Sequence, residues 1–181
     1  MKRVGIITAL SMLLLALTAS VAFAAVAPGT YGPNAGSFNG ANAPGSSHLT
    51  SGTVSCTVNA DLSIDCGAYV LVGVGHTNAN VSLTANYTAI IDCFNHGVNP
   101  NNAVESHQTS FSPNSSATVT SSKNGQLSVP KQSVAFSGAP IGCPNPNWTP
   151  VVRASSITLV SFSYTLTFAG FTSAYITISQ P

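Results

Sequence analysis

Residues 80–92 read NVSLTANYTAIID, and the order of side chains along them decides the fold class. Val81, Leu83, Ala85, Tyr87, Ala89 and Ile91 share one parity; Ser82, Thr84, Asn86 and Thr88 share the other. An extended backbone sends successive side chains to opposite sides. The apolar groups therefore fall on one face and the hydroxyls and amides on the other, as in a half-buried β-strand. A helix of the same sequence would scatter the two classes around its axis.

The same parity returns toward the C-terminus. Phe162, Tyr164, Leu166 and Phe168 alternate with Ser161, Ser163, Thr165 and Thr167. Ala174, Ile176 and Ile178 alternate with Ser173, Tyr175 and Thr177. Ser156 to Ser179 carries no charge and is long enough for a membrane span. A lipid-facing helix has no need of alternation, whereas a hairpin turning near Gly170 accounts for it.

Working back, Thr53–Asn59 and Leu62–Val74 read as a hairpin, with Asn59, Ala60 and Asp61 as turn formers. Shorter strands are expected near Val104–Phe111, Ala117–Ser121, Gln126–Val129 and Gln132–Phe136, with Pro130 separating the last two. Seven to nine strands without a convincing helix predict an all-β fold: a disulfide-stapled, immunoglobulin-like β-sandwich, with a small antiparallel β-barrel as the alternative. The domain is expected over 53–181. Residues 25–52, rich in Gly, Asn, Ser, Ala and Pro, read as a flexible leader whose Tyr31 and Phe38 could dock on it.

Residues 1–24 have the three parts of a secretory signal peptide. Lys2 and Arg3 precede an apolar run from Val4 to Leu17, and Ala22 and Ala24 supply the small residues of a cleavage site. Cleavage after Ala24 would release a secreted, extracellular chain with no remaining membrane span. All four cysteines, Cys56, Cys66, Cys93 and Cys143, lie beyond that point. In an exported protein they read as two disulfides. Pairing Val58 with Ile64 in the first hairpin brings Cys56 opposite Cys66, which leaves Cys93 for Cys143. A zinc site would want a tighter cysteine knuckle than any here.

Charge limits function more sharply than any motif. Charged residues make up 5% of the chain, against about 25% in ordinary domains. After residue 24 only Lys123, Lys131 and Arg153 stand against Asp61, Asp65, Asp92 and Glu105. No basic patch offers a grip on nucleic acid or on an anionic membrane. No G-x-S-x-G elbow or phosphate-cradling glycine loop occurs, and no thiol is left over as a nucleophile once both bridges form. Glu105, His107 and His96 could approach one another as metal ligands, but exposed polar roles suit them better, as they suit His48 and His76. No catalytic residue, metal or cofactor is assigned.

Four N-x-[ST] sequons, at Asn80, Asn86, Asn114 and Asn147, are possible glycosylation sites. The run from Cys143 to Trp148, CPNPNW, is the one local motif. Its prolines suggest an extended chain after the cysteine. Trp148, with Asn147, either closes the end of the core or presents a ring to a sugar or a protein. Together with the segment Cys93, Phe94, Asn95, His96 and Gly97, this run resembles a group of small exported bacterial proteins, mostly of actinomycete type. The likeness covers Val81 to Thr149, and past Trp148 this chain departs from the pattern by an additional strand. It implies export and brings no activity with it. The expected function is that of a secreted, non-enzymatic structural or interaction protein whose partner is a cell-surface glycan or protein. A carbohydrate- or small-ligand-binding module is the alternative, and a secreted hydrolase the third reading.

Overall fold

The computed structural model describes residues 25–95, 102–138 and 142–181. The expected signal peptide, residues 1–24, and His96 lie outside them. Thirteen strands make up the described fold: β1 (Gly29–Tyr31), β2 (His48–Gly52), β3 (Cys56–Val58), β4 (Ile64–Cys66), β5 (Tyr69–Val72), β6 (Ala79–Phe94), β7 (Ala103–Phe111), β8 (Asn114–Val119), β9 (Gln126–Val129), β10 (Gln132–Val134), β11 (Thr149–Val152), β12 (Thr158–Phe168) and β13 (Ile176–Gln180). Only two short 3₁₀ turns, Gly40–Asn42 and Ala154–Ser156, interrupt the β pattern.

β6 is the axis of one layer, and every strand pair in that layer is antiparallel. On one side β6 pairs with β8 along its first half and with β7 along its second. On the other it pairs with β12 and then β11, and β13 continues the sheet beyond β12. The alternating sequence is the reason. Val81, Leu83, Ala85 and Tyr87 are fully buried, as are Phe162, Tyr164, Leu166 and Phe168 opposite them or nearby. Along β6 the outward positions are Asn80, Ser82, Thr84, Asn86 and Thr88, polar side chains that suit a solvated sheet face, and then Ile90, Asp92 and Phe94.

The facing layer consists of two ladders in one register. Cys66 lies opposite Gln132, and three residues on Tyr69 lies opposite Val129. β4 and β5 thus form one line broken at Gly67 and Ala68, and β9 and β10 form another broken at Pro130, which has no N–H to give. The expected strand over Leu62–Val74 is therefore two short ones. The layers meet in one core that includes Val54, Ile64, Leu71, Leu127 and Ile176. Across it the Tyr164 hydroxyl donates to the Tyr69 hydroxyl at 2.9 Å, and the Tyr87 hydroxyl to the Leu62 carbonyl at 2.7 Å. The result is a β-sandwich; the sheets do not close into a barrel.

The reading of 25–52 as a flexible leader is overturned. β1 pairs with β3, and β2 pairs with β5. Val26 and Ala43 are buried, and the Tyr31 ring meets Phe162 edge-on at 5.5 Å. The stretch between them lines the outer edge of β13. Asn39 N–H donates to the Tyr175 carbonyl, Thr177 N–H to the Ser37 carbonyl, and the Asn42 amide to the Ala174 carbonyl. An uncovered edge strand invites pairing with another chain, and proteins usually block it with Lys or Pro. With cations this scarce, backbone from the N-terminal segment covers the edge instead. β11 is a further strand that the sequence pattern did not reveal.

Candidate functional site

Both bridges are in place. Gly67 N–H donates to the Ser55 carbonyl and Asn59 N–H to the Ser63 carbonyl. Those residues are the hydrogen-bonded pairs of the hairpin, so Cys56 and Cys66 face each other at a non-hydrogen-bonded position, where strands approach most closely. Their Cα atoms are 4.0 Å apart. The second bridge joins Cys93, near the end of β6, to Cys143. It anchors the CPNPNW run beside the sheet, and β11 then returns antiparallel along β6, with Pro150 opposite Cys93.

The run is a compact turn, not the extended segment its prolines suggested. Trp148 N–H donates to the Asn145 carbonyl, and Asn147 N–H to Asn145 Oδ1, each at 3.0 Å. An Asn side chain accepting from the backbone two residues on is a standard turn device. Trp148 is left partly exposed and Asn147 exposed.

Two features missed in the sequence adjoin this turn. Asp92 sits opposite Ser106 of β7 and Val151 of β11. Arg153 Nε donates to Asp92 Oδ2 at 2.9 Å, and the Ser106 hydroxyl donates to Oδ1 at 2.6 Å. The Arg153 guanidinium, then Ser106, holds the Asp92 carboxyl below its ordinary range, and Asp92 raises Arg153 in return. On either side of β6 stand Val104, 45% exposed, and Val151, 46% exposed. Elsewhere the outer face of this layer is mostly Ser, Thr and Asn, with Ile90 and Phe94 half-buried toward this end of β6.

The remaining candidates are dispersed. Glu105 lies opposite Cys93 and His107 opposite Ile91, on one face of β7. His107 Nδ1 is buried without a hydrogen-bond partner. His96, the third group of that constellation, lies outside the described residues, among which no cluster of three metal-ligating side chains occurs. His48 contacts the Ser46 carbonyl through Nδ1 at 2.8 Å, and His76 is exposed between β5 and β6. The sequon residues Asn80, Asn86, Asn114 and Asn147 are all exposed. The Asn86 amide nitrogen donates to Ser161 Oγ at 2.8 Å, and Asn80 Oδ1 accepts from Thr118 at 2.9 Å.

Asp65 belongs to the hairpin rather than to a site. Lys131 Nζ lies 2.8 Å from it; the Ser133 hydroxyl and Asn59 amide also donate to it. Lys131, then Ser133 and Asn59, pull its carboxyl down from 3.8 to about 2. A carboxyl more acidic when folded stabilises the fold above its unfolded pKa and loses that contribution as pH falls toward the folded one. The window here is about pH 4 down to 2. Asp65→Asn should cost about 1 kcal/mol near pH 6, since the pair is partly exposed and screened. The cost should shrink toward zero near pH 2. Urea midpoints at the two pH values check this; an equal deficit at both would assign the effect to something other than charge.

Comparison with family models, curated proteins and solved structures returns no match.

Proposed function

We propose that this chain is secreted and works outside the cytoplasm as a non-catalytic interaction module, contacting its partner through the stapled end of the sandwich. One observation carries the reading: on an outer face otherwise made mostly of Ser, Thr and Asn, exposed Val104 and Val151 flank the Asp92–Arg153 pair, while the other exposed large apolar side chain among the described residues, Phe38, lies against Tyr175 at the β13 edge. Apolar positions with an Arg and a nearby Trp, rimmed by neutral polar groups, have the composition of a protein contact surface. Export is supported by two disulfides in so small a chain, by the three-part signal in residues 1–24, and by the resemblance of the two cysteine segments to exported proteins. We keep immunoglobulin-like as the proposed kind of sandwich, on the two antiparallel layers alone. Neither bridge has the cross-layer placement typical of antibody domains.

The non-catalytic part of the reading rests on the carboxylates. Asp61 accepts from Ser63, Asp65 from Lys131 and Ser133, and Asp92 from Arg153 and Ser106. Each of these three has a structural role, which leaves Glu105 with no free carboxylate beside it among the described residues, as an acid–base pair would need. The alternative, a glycan-binding module, is favoured by the partly exposed Trp148 ring beside exposed Asn147.

Labelled protein added to washed cells of the strain that makes it tests the proposal. Val151→Ser with Val104→Ser should lower retention about tenfold, as for loss of a contact centre, with little change in the urea midpoint. Full retention by the double variant would sink the stapled-end reading. Binding on a glycan array that Trp148→Ala abolishes would move the function to the alternative. Hydrolase activity lost in both Asp92→Asn and Glu105→Gln would replace both.

A further inference from the structure

At the opposite end of β6, three connections surround an open depression of about 580 Å³. They are the segment before β2, the β5–β6 link and the β8–β9 link. The volume falls in the range of small-ligand sites. β6 has 16 residues, so this end lies on the order of 50 Å from the stapled one at the strand rise of about 3.3 Å. The two surfaces are independent.

The depression has a definite chemistry. Pro44 and Val74 provide apolar wall, while Ser46, His76, Thr77 and Asn124 provide hydrogen-bonding groups. Lys123 is its one permanently charged residue. In the described chain Lys131 and Arg153 each pair with an aspartate, whereas no carboxylate pairs with Lys123. None of Asp61, Asp65, Asp92 and Glu105 lies on the surrounding connections. Among the described residues, the one cation without a carboxylate partner stands at this depression.

The walls are also built to hold that shape. Gly73, Gly75 and Gly125 all have φ in the left-handed region, at +74°, +60° and +70°. A Cβ on Gly73 would lie 2.1 Å from the Ser46 carbonyl oxygen, so the first two connections touch through bare backbone. Val74 N–H donates to the Gly125 carbonyl at 3.1 Å, tying the second connection to the third. The Ser46 hydroxyl donates to the Gly73 carbonyl at 3.1 Å. Left-handed glycine turns of this kind let backbone approach a ligand closely.

We infer that this depression binds an acidic saccharide unit, a uronic acid, with its carboxylate on the Lys123 ammonium and its ring hydroxyls on Ser46, Thr77, His76 and Asn124. A charge-assisted contact fixes the carboxylate, and neutral donors and acceptors match a polyhydroxylated body. An inorganic anion would satisfy only the lysine, and a neutral sugar only the rim.

The test is an amide NMR titration of the oxidised protein at low salt with glucuronate, glucose and inorganic sulfate. Glucuronate should shift the amides of residues 73–77 and 123–125, saturating in the millimolar range. Glucose and sulfate should each bind about tenfold more weakly. Lys123→Met should weaken glucuronate about tenfold, and Lys123→Arg should largely restore it. Lys123 is exposed, so neither variant threatens the fold, and an unchanged spectrum away from the site verifies that. Sulfate binding as tightly as glucuronate, an unaltered response in Lys123→Met, or shifts scattered over the surface would each overturn the assignment.

Discussion

A chain that begins at Thr53 will not fold into a stable sandwich, although the sequence pattern alone would call that a clean domain boundary. Removing 25–52 takes away β1, with three register pairs on β3, and β2, with four on β5. It also strips the outer edge of β13, where Ser37 and Asn39 bond backbone to backbone. Each lost bond is worth roughly 0.5–1.5 kcal/mol net. Burial of Val26 and Ala43 and the Tyr31–Phe162 contact go with them. The sum is on the order of 5 kcal/mol or more, comparable to the whole stability of a domain this size. The exposed edges would add an aggregation route. The expected result is loss of near-ultraviolet circular dichroism and of a cooperative urea transition, with both disulfides oxidised. A truncated chain that unfolds at the full-length midpoint would show that these strands are ornaments, and the account of edge protection would fall with them.

That failure of the sequence reading has a physical cause. β6 and β12 were legible because they are long and bury one face, which writes a period of two into the residues. β1, β2 and β11 are three to five residues long and mostly exposed. Their stability comes from backbone hydrogen bonds, which any residue but proline can donate, so little in the side chains records them. The Cys56–Cys66 pairing was legible because both cysteines lie on one short hairpin, where turn and parity fix the register. The stapled end was legible only in part. Trp148 stands out by composition, but Asp92 meets Arg153 across 61 positions, and nothing local announces such a pair. The Lys123 depression was invisible for the same reason: it needs three connections from distant parts of the chain. The low charge content was the most informative single number. Among the described residues it marks the two paired cations, Lys131 and Arg153, as structural and Lys123 as available.

The second large effect concerns the bridge at the end of β6. Replacing Cys93 and Cys143 together by Ala should cost about 4 kcal/mol, and replacing Cys56 and Cys66 about 3. The difference comes from loop length: Cys93–Cys143 spans 50 residues and Cys56–Cys66 spans 10. A longer loop removes more freedom from the unfolded chain. The native-state consequences differ as well. Cys56 and Cys66 remain opposed in a hairpin that Asp65, Lys131 and the Ser55–Gly67 bond also hold. Cys143 opens a turn that is tied to the sheet by β11 on its C-terminal side and by the bridge to Cys93 on its N-terminal side, so loss of the bridge should loosen residues 143–148 in the folded protein. Urea denaturation of the two double variants measures the stability ranking, and amide exchange at Asn147, Trp148 and Thr149 measures the loosening. If the Cys56/Cys66 variant is the weaker of the two, chain entropy does not govern these bridges. If exchange at the turn is unchanged without Cys143, the contact surface at that end is held by packing rather than by sulfur.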